Sequence, residues 1–262
     1  SYYGNYASHW ALDTTADSMW SVSYFAYIMF GITKGLGVDI VFQASDNFTR
    51  DARSFEFNDI IFRLGYQFLY DQQKKGSYTP NLRLIFEEIF PTGNHQRLNA
   101  RKSGTDIGGQ GAFLSGLYLS CEKSFFYDTP HTLNLYGAFG YYVASSVRVK
   151  KINYYGGNNT TNGRVYPGNI IAVYLSGEYQ LTRRLTLAWD SYYQQNLAGR
   201  FKGNMGSGDP VRVPQENIIA LAPELEIMIT KHSAVLLGPW FSIAGQNTSA
   251  FAGFFAEYVF TF

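Results

Sequence analysis

Eleven ionisable residues recur along the chain within stretches of alternating apolar residues: Asp39, Asp59, Arg63, Arg83, Glu87, Glu122, Glu178, Asp190, Glu224, Glu226 and Glu257. Carboxylates dominate this set, and Arg63 and Arg83 are its only cations. Six large aromatics, Tyr118, Tyr136, Tyr142, Tyr174, Tyr192 and Trp240, share the pattern. Rows of such groups can select solutes by charge and offer flat surfaces for stacking. Two readings stay open. The charged groups either face a solute path that prefers cations, or Arg63 and Arg83 pair with Glu87, Asp190 and Glu224 to fill a closed interior. The aromatics either line that path or pack it shut. Bond-making chemistry is poorly supplied. His9, His95, His131 and His232 have no nucleophile one strand away, and Gly203–Gly208 lacks the lysine of a phosphate loop. Cys121 is the single cysteine and no Cys/His group has metal-ligand spacing. We therefore expect no enzyme, no cofactor and no metal. A net charge of +1 without a basic cluster gives no reason to expect nucleic acid.

These residues need elements that present alternate side chains to opposite sides, and the chain has that rhythm throughout. Trp20, Val22, Tyr24, Ala26, Ile28 and Phe30 oppose Ser21, Ser23, Phe25, Tyr27 and Met29. The same period of two runs through Val38–Ala44, Ile60–Tyr70, Leu82–Phe90, Gln110–Lys123, Leu133–Val143, Ile171–Leu181, Leu185–Tyr193, Ile219–Ile229 and Val235–Ile243. Such segments are strands with one apolar face. Glu87-Glu88 breaks the rule, since alternation sends one of them to the apolar side; a β-bulge would turn both inward, and a position near the end of the apolar band would also serve.

Composition agrees. Aromatics make up 18% and charged residues 16% of 262, against about 25% charged in a typical soluble domain. No window approaches the roughly 18 apolar residues of a transmembrane helix. Connections also sort by length. Gly31–Gly37, Asp71–Ser77, Phe125–Pro130, Thr182–Arg184 and Thr230–His232 are short. Asp46–Ser54, Asn94–Gly108, Lys150–Tyr166 and Leu197–Pro214 are longer and polar, and the two kinds alternate. The last link, Gly245–Ala250, is of modest length. This predicts an all-β, antiparallel up-and-down transmembrane barrel over residues 1–262, of about twelve strands, with ten or fourteen open. Residues 1–17 supply an irregular first strand or a segment tucked against the wall. No signal peptide precedes Ser1, so the sequence is a processed form or lacks its leader.

The last twelve residues, Phe251–Phe262, place Ala252, Phe254, Ala256, Tyr258, Phe260 and Phe262 on one face. This ending resembles that of Gram-negative outer-membrane barrels. Further segments resemble the outer-membrane protein family associated with the meta-pathway of phenol degradation. They are Leu82–Gly93 with its Pro-Thr-Gly end, Ser103–Gly108, Pro167-Gly168, Ser176–Leu185, Leu221–Leu225 and Gly245–Asn247. The resemblance implies a multi-pass outer-membrane channel for small, hydrophobic or aromatic solutes, with an aromatic girdle and with loops 94–108, 150–166 and 197–214 at its mouth. It implies contact with outer-membrane lipid and lipopolysaccharide, and a terminal Phe262 read by the barrel-assembly machinery. The alternative is a non-transporting surface barrel whose loops bind a partner or host ligand.

Overall fold

The structure, a computed structural model, describes all residues except 15–17, 73–76, 209 and 262, and the side chain of residue 3. Phe262, assigned to assembly by its resemblance, lies outside the described residues.

The described residues form β1 (Tyr2–Tyr6), β2 (Leu12–Asp13), β3 (Trp20–Thr33), β4 (Leu36–Phe48), β5 (Arg53–Phe57), β6 (Ile60–Leu69), β7 (Asn81–Phe90), β8 (Leu114–Phe125) and β9 (Leu133–Ala144). There follow β10 (Val147–Lys150), β11 (Asn162–Tyr166), β12 (Ile170–Thr182), β13 (Leu185–Asn196), β14 (Arg200–Asn204), β15 (Glu216–Thr230), β16 (Ser233–Gln246) and β17 (Thr248–Phe260). One 3-10 turn, Ala100–Lys102, is the only helix among the described residues. Strands of ten to fifteen residues cover the roughly 9–11 that a tilted membrane-crossing strand needs.

Fourteen strands make one antiparallel sheet in the order β2-β1-β17-β16-β15-β13-β12-β9-β8-β7-β6-β4-β3, with β5 on β4. Eleven of them are long staves joined as successive hairpins, and β1 is a short twelfth stave beside β17. The two ends of the sheet meet at one rung, where Tyr2 and Met19 exchange backbone hydrogen bonds of 2.7 and 3.2 Å. Among the described residues no further rung joins β3 to β1 or β17, and the wall stays open below that point.

The alternation sorts side chains as the sequence predicts. On β8, Tyr118 and Ser120 are 6% and 5% exposed while Leu117 and Leu119 are 52% and 49% exposed. The outer face is thus an apolar and aromatic band. Glu87 and Glu88 stay in regular register, Glu87 opposite Arg63 and Glu88 opposite Phe62, so there is no bulge between them. Glu88 points outward two residues before the strand's loop-side end, where charge costs least.

Two expectations about boundaries are corrected. The last link is a single-residue turn at Asn247, whose φ of 52° suits asparagine, so β16 runs on to Gln246. Asp59 precedes β6 instead of lying in it and caps the next loop, accepting from Gly93 N at 2.9 Å. Burial pushes its carboxyl above the ordinary range, and backbone N–H groups of Gly93 and Gln110 pull it back in part.

The long loops are not separate polar arches. Residues 147–150, 162–166 and 200–204 form a three-stranded sheet, β10-β11-β14. Beneath it Val147, Val149, Tyr155, Val165 and Val211 pack as a second core. Loop 94–108 is laced to it by Leu98 N–Ile152 O (3.0 Å) and Tyr154 N–His95 O (2.9 Å), and loop 197–214 by Arg212 N–Tyr155 O (2.9 Å). Asn47 Nδ2 donates to Thr105 O at 3.1 Å and ties in the first hairpin. One cap results. Replacing the fully buried Val149 with Asp should cost several kcal/mol locally by burying an unpaired charge. We expect protease to cut loops 150–166 and 197–214 of that variant while the staves stay folded and heat-resistant on gels.

Candidate channel lumen

Inward-facing side chains of the staves surround a cavity of about 1330 Å³ below the cap. Three of the groups singled out in the sequence, Arg63, Glu87 and Tyr118, meet on one part of its wall, with Tyr142 bonded to them from beside it. Arg63 on β6 forms an ion pair with Glu87 directly across the β6–β7 ladder. The Tyr142 hydroxyl donates to the other oxygen of Glu87, and the Tyr118 and Tyr142 hydroxyls are hydrogen-bonded to each other. Glu87 is only 3% exposed, so its charge is held by these partners instead of by water.

The neighbouring glycines explain how two tyrosines fit on one wall. A Cβ on Gly116 would collide with the Tyr142 ring, and a Cβ on Gly140 with the Tyr118 ring. Each ring therefore lies against bare backbone on the adjacent stave. The same device serves Arg83, whose guanidinium lies across Gly65.

From Tyr142 the rings continue around the barrel. Centroid separations are 5.3 Å to Tyr118, 5.9 Å on to Tyr174, 6.2 Å to Tyr192, 6.4 Å to Trp240 and 4.7 Å to Phe251. Tyr2 of β1 extends the series, 6.4 Å from Phe251. These are edge-on and tilted contacts of the kind aromatic pairs prefer. The result is a ribbon of inward rings across seven staves.

Below the ribbon, towards the short turns, the carboxylates fall on neighbouring rungs. Glu178 and Glu224 flank Ala188, and Glu226 and Glu257 flank Leu236. Asp190, Glu224 and Glu257 line the cavity. Among the described residues none of these acids has a salt bridge. Tyr136 lines the cavity too, on the wall with Arg63.

The closed-interior pairing is thus realised only for Arg63 with Glu87; Arg83 makes no ion pair among the described residues and does not reach Asp190 or Glu224. Asp59 belongs to the cap instead of the lumen. Residues that the charge pattern did not single out also line the cavity: Phe25, Tyr27 and Met29 on β3, and Phe255 on β17. Their signal was their position on the polar side of the alternation. Tyr6 gave none, yet it is buried with its hydroxyl on Ser242 Oγ at 3.2 Å.

No protein-family model matches the chain, and no curated protein does. Among solved structures, the chain is similar to that entitled "Crystal structure of the COG4313 outer membrane channel from Pseudomonas putida F1". The TM-score is 0.72 at 12% identity, over 100% of this chain and 91% of that one. The likeness establishes an outer-membrane-barrel fold. Substituting Gly140 with Val should drive the Tyr118 ring off its seat and into the cavity. A less heat-resistant folded band is the expected result; unchanged stability would contradict the seat.

Proposed function

We propose that the protein is an outer-membrane channel for small solutes, with a preference for cations and room for solutes that carry an apolar or aromatic body. The carrying observation is the cavity itself, bordered by an aromatic ribbon on one level and by carboxylates without salt bridges on the next. Carboxylates facing a confined aqueous path raise the local concentration of cations and repel anions. Where the ribbon reaches the cavity, at Tyr174, Tyr192 and Trp240, it gives an apolar solute flat faces to rest on at that level. Outer-membrane lipid and lipopolysaccharide are the partners of the outer band, and the assembly machinery that of the C-terminal strand.

A second reading rests on the cap. Its own core and its lacing across three loops favour a rigid surface that binds a partner. The two readings separate in a planar bilayer with a salt gradient. The channel reading expects a reversal potential of cation-selective sign, which falls when Asp190→Asn, Glu224→Gln, Glu226→Gln and Glu257→Gln are combined. Failure of the folded protein to pass any ion, or any small solute in liposome swelling, would refute it and leave the binding reading.

A further inference from the structure

The wall is incomplete along one line. Between β3 and β17, below the Tyr2–Met19 rung, neither strand has a neighbour on its outer edge among the described residues. On the wall away from it the inward Tyr118 and Tyr142 are 6% exposed each; the inward Tyr27 and Met29 beside this seam are 48% and 67% exposed. The hydrogen-bonding parity follows from the last rungs present. Ala252 bonds Ser1 and Met19 bonds Tyr2 through both N–H and C=O, so the alternate residues Phe254, Ala256 and Tyr258 on β17, and Phe25, Tyr27 and Met29 on β3, aim their backbone groups into the seam. Unpaired rows of this kind do not persist against hydrocarbon.

Direction decides what can fill it. Counting hairpins around the sheet, β3 and β17 run the same way, since each antiparallel step reverses the chain. They cannot zip to each other in an antiparallel ladder, whereas a single strand of opposite direction pairs with both. β1 already is that strand at the top: it is antiparallel to β17, and Tyr2 also bridges to Met19. The Ser1 amine sits on Ala252 O at 2.6 Å, at the point where the seam begins.

We propose that the seam is a strand-addition site, filled by polypeptide that leads directly into Ser1 and prolongs β1 downward. Its length is about seven residues, one for each rung of Gly253–Val259 at about 3.4 Å each. Its side chains alternate, apolar towards lipid beside Ile28 and Phe254, and small or polar towards Tyr27 and Glu257. The proposal rests on the membrane-spanning reading and is independent of conduction.

The test uses the protein purified from outer membranes. Intact mass and N-terminal mapping should show at least six residues ahead of Ser1, and hydrogen exchange in lipid should show the amides of Tyr27, Met29, Ala256 and Tyr258 slowed on the order of 100-fold or more. A mature chain that starts at Ser1 overturns the proposal, whether those amides are protected by some other strand or free. So does an upstream segment beside freely exchanging amides, which would mean a lateral opening. Ala256→Pro supplies a second arm, compared with Ala256→Val. Proline removes only the seam-facing N–H, so an open edge tolerates it, whereas a filled seam loses a rung. We expect the folded, heat-resistant fraction to drop for the proline variant alone; equal fractions would refute the filled seam.

Discussion

A polypeptide that crosses hydrocarbon as β-strands must pair every backbone N–H and C=O within the protein. That requirement shapes this molecule more than any single contact. It makes each stave a partner of two neighbours, forces antiparallel hairpins, and bends the sheet round until its ends approach. The staves from β4 to β16 meet it on both edges, β3 meets it on one, and β17 meets it on its second edge only beside β1. Where it is met, register is fixed and a slip of one residue would move every apolar side chain into the lumen.

Once register is fixed, the interior chemistry follows from position. Arg63 and Glu87 face each other because their residues are cross-strand partners, and the two tyrosines reach Glu87 because glycines on adjacent staves leave room. Hydrogen bonds to a charged group contribute on the order of 1.5–3 kcal/mol each, and removing a partner of a buried charge costs more than the contact contributes. Glu87 is thereby the anchor of one wall. The opposite wall carries acids that have no salt bridge among the described residues, so the two walls differ in their balance of charge.

The period of two made the staves and their faces legible, because one flank of each is lipid and the contrast is strong. Trp20–Phe30 and Leu185–Tyr193 could be read residue by residue. Glu87 and Glu88 could not be settled, since alternation alone does not say how near the band's end a residue sits. The pairing of Arg63 with Glu87 but not of Arg83 with any acid depends on which staves are neighbours and on the room above Gly65, and neither is written locally. The cap was hidden for a related reason. Val147, Val149, Val165 and Val211 are scattered through polar loops and meet only when three loops converge. β1 has five residues, too few to show a period, and its role appears only from the two strands it touches.

The central claim is that each stave separates a lumen from lipid by alternate residues. Single cysteines placed at 186 to 191 on β13, in a protein with Cys121→Ser, test it in a bilayer. Positions of Thr186, Ala188 and Asp190 should react with a water-soluble maleimide, and those of Leu187, Trp189 and Ser191 should respond to a lipid-dissolved quencher instead. An absent or inverted alternation would contradict the account.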